Sequence, residues 1–324
     1  MIDRVRLPRV ARRRWWLVAL LAVLALGGFV AAAAAYQGSR GGVDARRGRI
    51  VSAVEQPLRR VGPSSISELT LNSSTGLAVH ARVRAAPAGA RRRPAAVLLG
   101  GAGRGSRIVD APGIEILEDD ALIVAPDYPV RLSPQAWRGT AAVSTLLGLR
   151  GAALNAVAGV LLLVDYLESR TDVDPRRIFL VGGSLGAEVV VIAGALDPRP
   201  AAVVALYGAA NVGPLIAHTL THPAQRHPYS RWSATAAGYG LSLLLTPLEP
   251  RRYAGGIAPR PFLMVNGADD SLVPREYVLA LYDAAGEPKT LVWVPGEHIQ
   301  PEETALIVGS VGIVRAWLIE HHLR

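Results

Sequence analysis

The chain has 324 residues, half of them hydrophobic, no cysteine and a formal net charge of +9. That length and apolar content allow a sizeable buried core, whereas the lack of cysteine excludes disulfides and thiolate metal sites. Six arginines against Asp3 in the first 14 residues supply +5 of the charge, leaving +4 for residues 15–324. No basic stripe with interleaved aromatics occurs there, so nucleic-acid binding is not expected.

Residues 1–14 read as a basic tail carrying Arg4, Arg6, Arg9, Arg12, Arg13 and Arg14. Trp15-Trp16 and a run of 19 apolar residues, 17–35, follow. As a helix this run could span a bilayer of about 30 Å. Residues 15–36 therefore read either as an uncleaved signal anchor, with the tryptophans at the interface, or as a signal peptide cut near Ala35. The basic flank stays cytoplasmic in both cases. The remainder lies outside, membrane-anchored in the first and secreted in the second. Residues 37–65 mix Gly, Arg, Pro and Ser and read as a linker, with a short helix around 50–58.

From there the pattern alternates. Strands are predicted at 66–71 and 77–84, turning through Ser73-Ser74-Thr75-Gly76, and at 95–99. A glycine-rich loop, Gly100-Gly101-Ala102-Gly103-Arg104-Gly105-Ser106, comes next. It is not a nucleotide P-loop: Gly-Lys-Ser/Thr is absent and the only lysine is Lys289. A strand at 121–125 ends in Pro126-Asp127-Tyr128, and an amphipathic helix fits 151–169.

Gly182-Gly183-Ser184-Leu185-Gly186 then links an apolar strand, 177–181, to a helix-like run, 187–193. A serine on so sharp a turn needs small neighbours, and the turn raises its hydroxyl at a helix N-terminus where N–H groups can meet a developing oxyanion. After a strand at 201–207, residues 208–260 exceed what a connection needs and hold His218, His222, His227, Trp232 and Tyr239. His218 and His222 are four apart, as metal ligands on a helix can be, but no Glu completes a His-Glu-x-x-His frame, and no metal is expected. Strands at 261–266 and 290–294 follow. Asp269 and Asp270 lie just after the first and His298 just after the second, before a helical pattern over 301–322.

A serine hydroxyl is a poor nucleophile near neutral pH and needs a base such as histidine, itself oriented by a carboxylate. Ser184, an aspartate at 269 or 270, and His298 follow strands in the order Ser, acid, His. Asp127 also follows a strand but precedes the serine.

With these residues in place, the chain from about Ser67 onward resembles the α/β-hydrolase family. Within it, the likeness is to the dienelactone-hydrolase-like esterases and the C-terminal domains of acyl-CoA thioesterases and acyltransferases. Gly267, Asp270, Val273 and Pro274 match the family's acid-loop pattern, so the resemblance favours Asp270 over Asp269. Gly186-Ala187-Glu188 is similar to the thioesterase branch. Gly100 stands where relatives carry histidine, and Glu297 stands before His298 where they often carry glycine.

The resemblance implies an α/β fold with a mostly parallel eight-stranded sheet flanked by helices. It implies a hydrolase domain over 66–324, with a helical cap after strand six at about 208–260 that lines the substrate pocket. It implies a Ser184–His298–Asp270 triad, an oxyanion hole from the N–H groups of Leu185 and Ala102 (or Gly101), and hydrolysis of an ester or thioester through an acyl-enzyme without a cofactor. A thioesterase or acyltransferase and a peptidase are alternatives, although an outward-facing domain argues against coenzyme A as a substrate. So is a non-catalytic ligand-binding module at the membrane.

Overall fold

A computed structural model describes Gly27 and residues 39–87, 92–101, 104–118, 121–129, 140–222, 231–245, 248–300 and 302–323. The expected membrane segment, 15–36, lies outside the described residues apart from Gly27. Among the described residues one helical stretch, Gly148–Ser169, is long and apolar enough to cross a bilayer, but 61% of it is buried inside the fold.

The stretch expected to be a linker is structured. Helix α1 (Ser39–Arg47) buries Val43 and pairs Arg47 with Asp165 of α3 (Thr140–Ser169). Strand β1 (Ile50–Val61) then replaces the short helix expected there. Almost all of β1 is exposed, so no alternation of apolar and polar residues marks it. It is a strand because its backbone pairs antiparallel with β2 (Ser64–Ser73), with a register shift at Pro57–Arg59 where proline cannot donate to the ladder. Glu55 fixes it further by accepting from Tyr166 of α3 and from Arg170 just past its end.

This extra edge strand makes the sheet nine-stranded rather than eight. After β3 (Ala78–Ala85), β4 (Arg93–Leu99) and β5 (Leu122–Pro126) come β6 (Val173–Gly183), β7 (Ala202–Leu206), β8 (Phe262–Gly267) and β9 (Lys289–Val294). The order is β1-β2-β3-β5-β4-β6-β7-β8-β9. The pairs from β1 through β3 to β5 are antiparallel, and all the others are parallel. β4 to β8 are nearly continuous runs of buried Val, Ile, Leu, Ala, Phe and Met, as strands covered on both faces must be.

One face packs on α1, α3 and α4 (Leu185–Leu196). The other is covered by α2 (Ile114–Glu118), reached through a 3-10 turn at Gly105–Asp110, and by the C-terminal helix α8 (Thr304–Glu320). The expected helical insertion is present between β7 and β8, as α5 (Val212–Thr221) and α6 (Arg231–Leu245). Glu249 tethers it by accepting from the backbone N–H groups of Asn211 and Val212 at 2.9 Å each. Helix α7 (Arg275–Ala284) joins β8 to β9.

From β4 the chain proceeds to β5 on one side and, after α3, to β6 on the other. At such a switch point the loops beyond two neighbouring strand ends diverge and leave a crevice. Leu99 pairs with Gly182, so the glycine-rich loop and the serine turn leave the sheet side by side.

Candidate active site

The backbone between β6 and α4 turns so tightly that Ser184 holds φ 52° and ψ −123°, a conformation that costs an L-residue about 1–3 kcal/mol. The Ser184 N–H donates to the Leu206 carbonyl at 2.8 Å, and its carbonyl accepts from Ala187 N–H at 2.8 Å. Space is as constrained as the dihedral. A Cβ on Gly182 would stand 2.2 Å from the Gly186 oxygen, and one on Gly186 would stand 2.5 Å from the Leu99 oxygen.

Across the crevice, β8 and β9 deliver the partners. His298 is buried, with Nε2 3.1 Å from Ser184 Oγ and Nδ1 2.7 Å from Asp270 Oδ2. Asp270 Oδ1 accepts from the N–H groups of Leu272 (3.0 Å) and Val273 (2.8 Å), which fixes the carboxylate plane. With its Nδ1 proton donated to Asp270, the imidazole presents Nε2 as acceptor to the serine hydroxyl. An alcohol so placed can pass its proton to the ring, and the cation formed would face a buried carboxylate.

The neighbouring candidates fall elsewhere. Asp269 takes a loop role, its Oδ2 accepting from Gly296 N–H at 3.2 Å. Asp127 accepts from Ser106 N–H at 2.9 Å and so holds the 3-10 turn. Leu185 occupies the first position of α4, where its N–H has no acceptor within the helix. Ala102 lies outside the described residues. Gly101 is within them: a Cβ built on it would stand 3.4 Å from Ser184 Cβ, so this loop borders the serine directly. His218 and His222 reach the carbonyl and hydroxyl of Ser271 at 2.8 and 3.2 Å. Among the described residues no group of three or more His, Cys, Asp or Glu is arranged to hold a metal ion.

Several neighbours of the site have roles there that the sequence alone does not assign. Tyr207, at φ 53° just past β7, sets its ring edge-on to the His298 imidazole with centroids 5.5 Å apart. The Tyr128 hydroxyl donates to the Gly100 carbonyl and steadies the start of the glycine-rich loop; burial pushes its pKa up. Glu297 accepts from both the N–H and the hydroxyl of Ser271 at 2.8 Å, tying the histidine loop to the acid loop. Those two bonds hold its carboxyl below the usual range.

A cavity of ≈ 320 Å³ opens at Ser184 and His298. Larger clefts of ≈ 520 and ≈ 560 Å³ are lined by the Arg47–Asp165 region and by His80 with Asp127, and Ser184, Asp270 and His298 are not among their described lining residues. None of the described residues lining the cavity at Ser184 comes from 208–260. The described part of the wall comes instead from the 3-10 turn, α2, α8 and the loops after β4, β6 and β9.

Glu188, one turn into α4, has its carboxyl enclosed. One oxygen accepts from Ala209 N–H at 3.2 Å and the other meets no partner among the described residues. Burial, assisted by the Glu249 charge, pushes its pKa from 4.5 up to about 8. Because the folded value is raised, both states are protonated below pH 4.5. Between 4.5 and about 8 the unfolded chain ionises while the fold retains the proton, so stability falls as pH rises through that window. The effect is at most about 5 kcal/mol, at about 1.4 kcal/mol per pKa unit. Glu188→Gln is expected to remove most of this slope, so that thermal melts of variant and wild type differ more at pH 8 than at pH 5. Parallel pH profiles would refute the assignment.

No family model matches the sequence. It is 28% identical over 138 residues to the uncharacterized protein YfhR of Escherichia coli O157:H7, a match covering 42% of this chain and 43% of that protein. The chain thus matches less than half the length of this relative. In three dimensions it is similar to the acetyl xylan esterase from Paenibacillus sp. R4, with TM-score 0.61, 15% identity, and coverage of 86% of this chain and 92% of that one. It is also similar to the alpha/beta hydrolase GrgF from Penicillium sp. sh18, with TM-score 0.55, 16% identity, and coverage of 80% and 99%. The fold is the α/β-hydrolase fold.

Proposed function

We propose that this chain, built on the α/β-hydrolase fold, is a serine hydrolase that cleaves a carboxylic ester or thioester through an acyl-enzyme. One observation carries the reading: a buried imidazole bridges a strained serine at 3.1 Å and a buried carboxylate at 2.7 Å, beside a cavity lined by the serine and the imidazole. That several solved proteins sharing the fold are esterases by name agrees with it.

In the proposed reaction Ser184 Oγ attacks the substrate carbonyl carbon while His298 Nε2 takes its proton. Asp270 holds the ring tautomer and offsets the imidazolium charge. The oxyanion is met by N–H groups of Leu185 and of Ala102 in the glycine-rich loop. His298 then protonates the departing alcohol or thiol. Water, deprotonated by the same imidazole, releases the acid and restores Ser184. This chemistry calls for no cofactor.

A fluorophosphonate, which phosphorylates an activated serine, should label the wild-type chain at Ser184 and leave Ser184→Ala unlabelled. Peptide mapping of the adduct checks the position. Equal labelling of the two proteins would overturn the proposal.

A further inference from the structure

We infer that the substrate's acyl part is an unbranched aliphatic chain of medium length, received by the cavity that descends from Ser184 between α2 and α8. This rests on the reading of Ser184 as the nucleophile.

The burial of the wall residues gives the cavity a direction. Ile114, Leu117, Val181, Val311 and Val314 line it and are each 5% exposed or less, so they form its closed end. Leu272, Ile299, Gln300 and Arg104 also line it but keep contact with solvent, so they form its mouth. Ser184 and His298 lie in the same wall. The closed end is hydrocarbon from three separate elements, β6, α2 and α8, and among the described residues there its single polar side chain is that of Ser310. An apolar recess of this kind favours a chain that shuns water over a sugar, a peptide or an ionised group.

The acyl side, rather than the alcohol side, belongs in this recess for a chemical reason. The leaving group must depart past His298 Nε2, which protonates it. Ile299 and Gln300, the residues following His298, belong to the open mouth, so departure is toward solvent. The acyl group stays bonded to Ser184 Oγ until water arrives, and the closed arm shelters it for that interval.

Size sets the length. The ≈ 320 Å³ corresponds to roughly ten water-sized units at about 30 Å³ each, and part of that is the mouth. What remains suits a chain of roughly six to eight carbons. Each methylene that finds apolar wall should raise kcat/KM by roughly fourfold until the closed end is reached.

The test uses p-nitrophenyl esters from acetate to decanoate on the full chain. The wild type should improve from acetate to hexanoate or octanoate and decline beyond. Val314→Phe, which thickens the closed end, should lower the octanoate-to-acetate ratio of kcat/KM at least tenfold. Leu117→Ala, which deepens it, should move the optimum to a longer chain. Should the larger side chain prevent folding, the smaller one still decides.

A chain-length profile identical in wild type and a folded variant would overturn the inference. So would a length preference that follows the alcohol in a series of acetate esters. If Ser184→Ala hydrolyses every ester as fast as wild type, the serine reading itself has failed. A flat profile in an enzyme that Ser184→Ala inactivates overturns the acyl recess alone.

Discussion

Alanine at position 184 is expected to lower kcat on a p-nitrophenyl ester by about a millionfold, alanine at 298 by about as much, and the double substitution by little more. The geometry explains the non-additivity. At 3.1 Å from Nε2 the Ser184 hydroxyl is the group the imidazole activates, so without the nucleophile the base has nothing to activate and without the base the nucleophile is not activated. Asp270→Asn should cost less, about ten-thousandfold, because the amide can donate to Nδ1 and hold the ring in the tautomer that cannot accept from serine. Stopped assays at high enzyme concentration, with circular dichroism to verify folding, measure the series. Additive losses from Ser184→Ala and His298→Ala would contradict a common proton relay, and unchanged turnover in either would end the enzymatic reading.

The second large effect is expected from a single methyl group. Gly186→Ala places a Cβ 2.5 Å from the Leu99 oxygen, 2.8 Å from its Cβ and 2.9 Å from the Gly100 oxygen. Two of those three atoms are backbone at the end of β4, which is held in the middle of the sheet between β5 and β6. A backbone atom there cannot swing aside as a side-chain tip would, so relief requires parting α4 from the strand ends. A destabilisation of about 3 kcal/mol or more is expected, at the upper end of what overpacking costs, with loss of the serine's position. Gly309→Ala supplies the contrast. It lies within α8, and nothing stands within 4 Å of an added Cβ, so it should gain about 0.5–1 kcal/mol from helix propensity. Urea denaturation of both variants checks the pair. A Gly186→Ala protein as stable as wild type would show that the turn is looser than its contacts imply.

The parts of this molecule that could be read from the chain are those where local pattern and tertiary role agree. The second half of β6 (178–183) and most of β8 are apolar runs ending in glycine, and they read as strands because burial on both faces demands that composition. Ser184, Asp270 and His298 were legible because each follows such a run at once, leaving little freedom over where the side chain lies. β1 was not legible: its side chains face water, and what makes it a strand is a partner backbone that no local pattern reveals. The same holds for the cavity wall. Leu117 and Val314 are about two hundred residues apart and look like ordinary core positions. Only the packing of α2 and α8 over one sheet face leaves a gap between them.

Strand β1 also bears on how this molecule behaves in a crowded solution. Its outer backbone edge is the kind of surface on which a second polypeptide can extend a sheet, and Val51, Val54 and Leu58 offer it hydrocarbon. The irregular register around Pro57 interrupts the ladder there, and the charges of Arg59 and Arg60 follow at once. Interruptions and charges of this kind discourage edge-to-edge pairing of strands. Replacing Pro57, Arg59 and Arg60 with β-branched neutral residues is expected to favour such pairing, which light scattering of the variant would show.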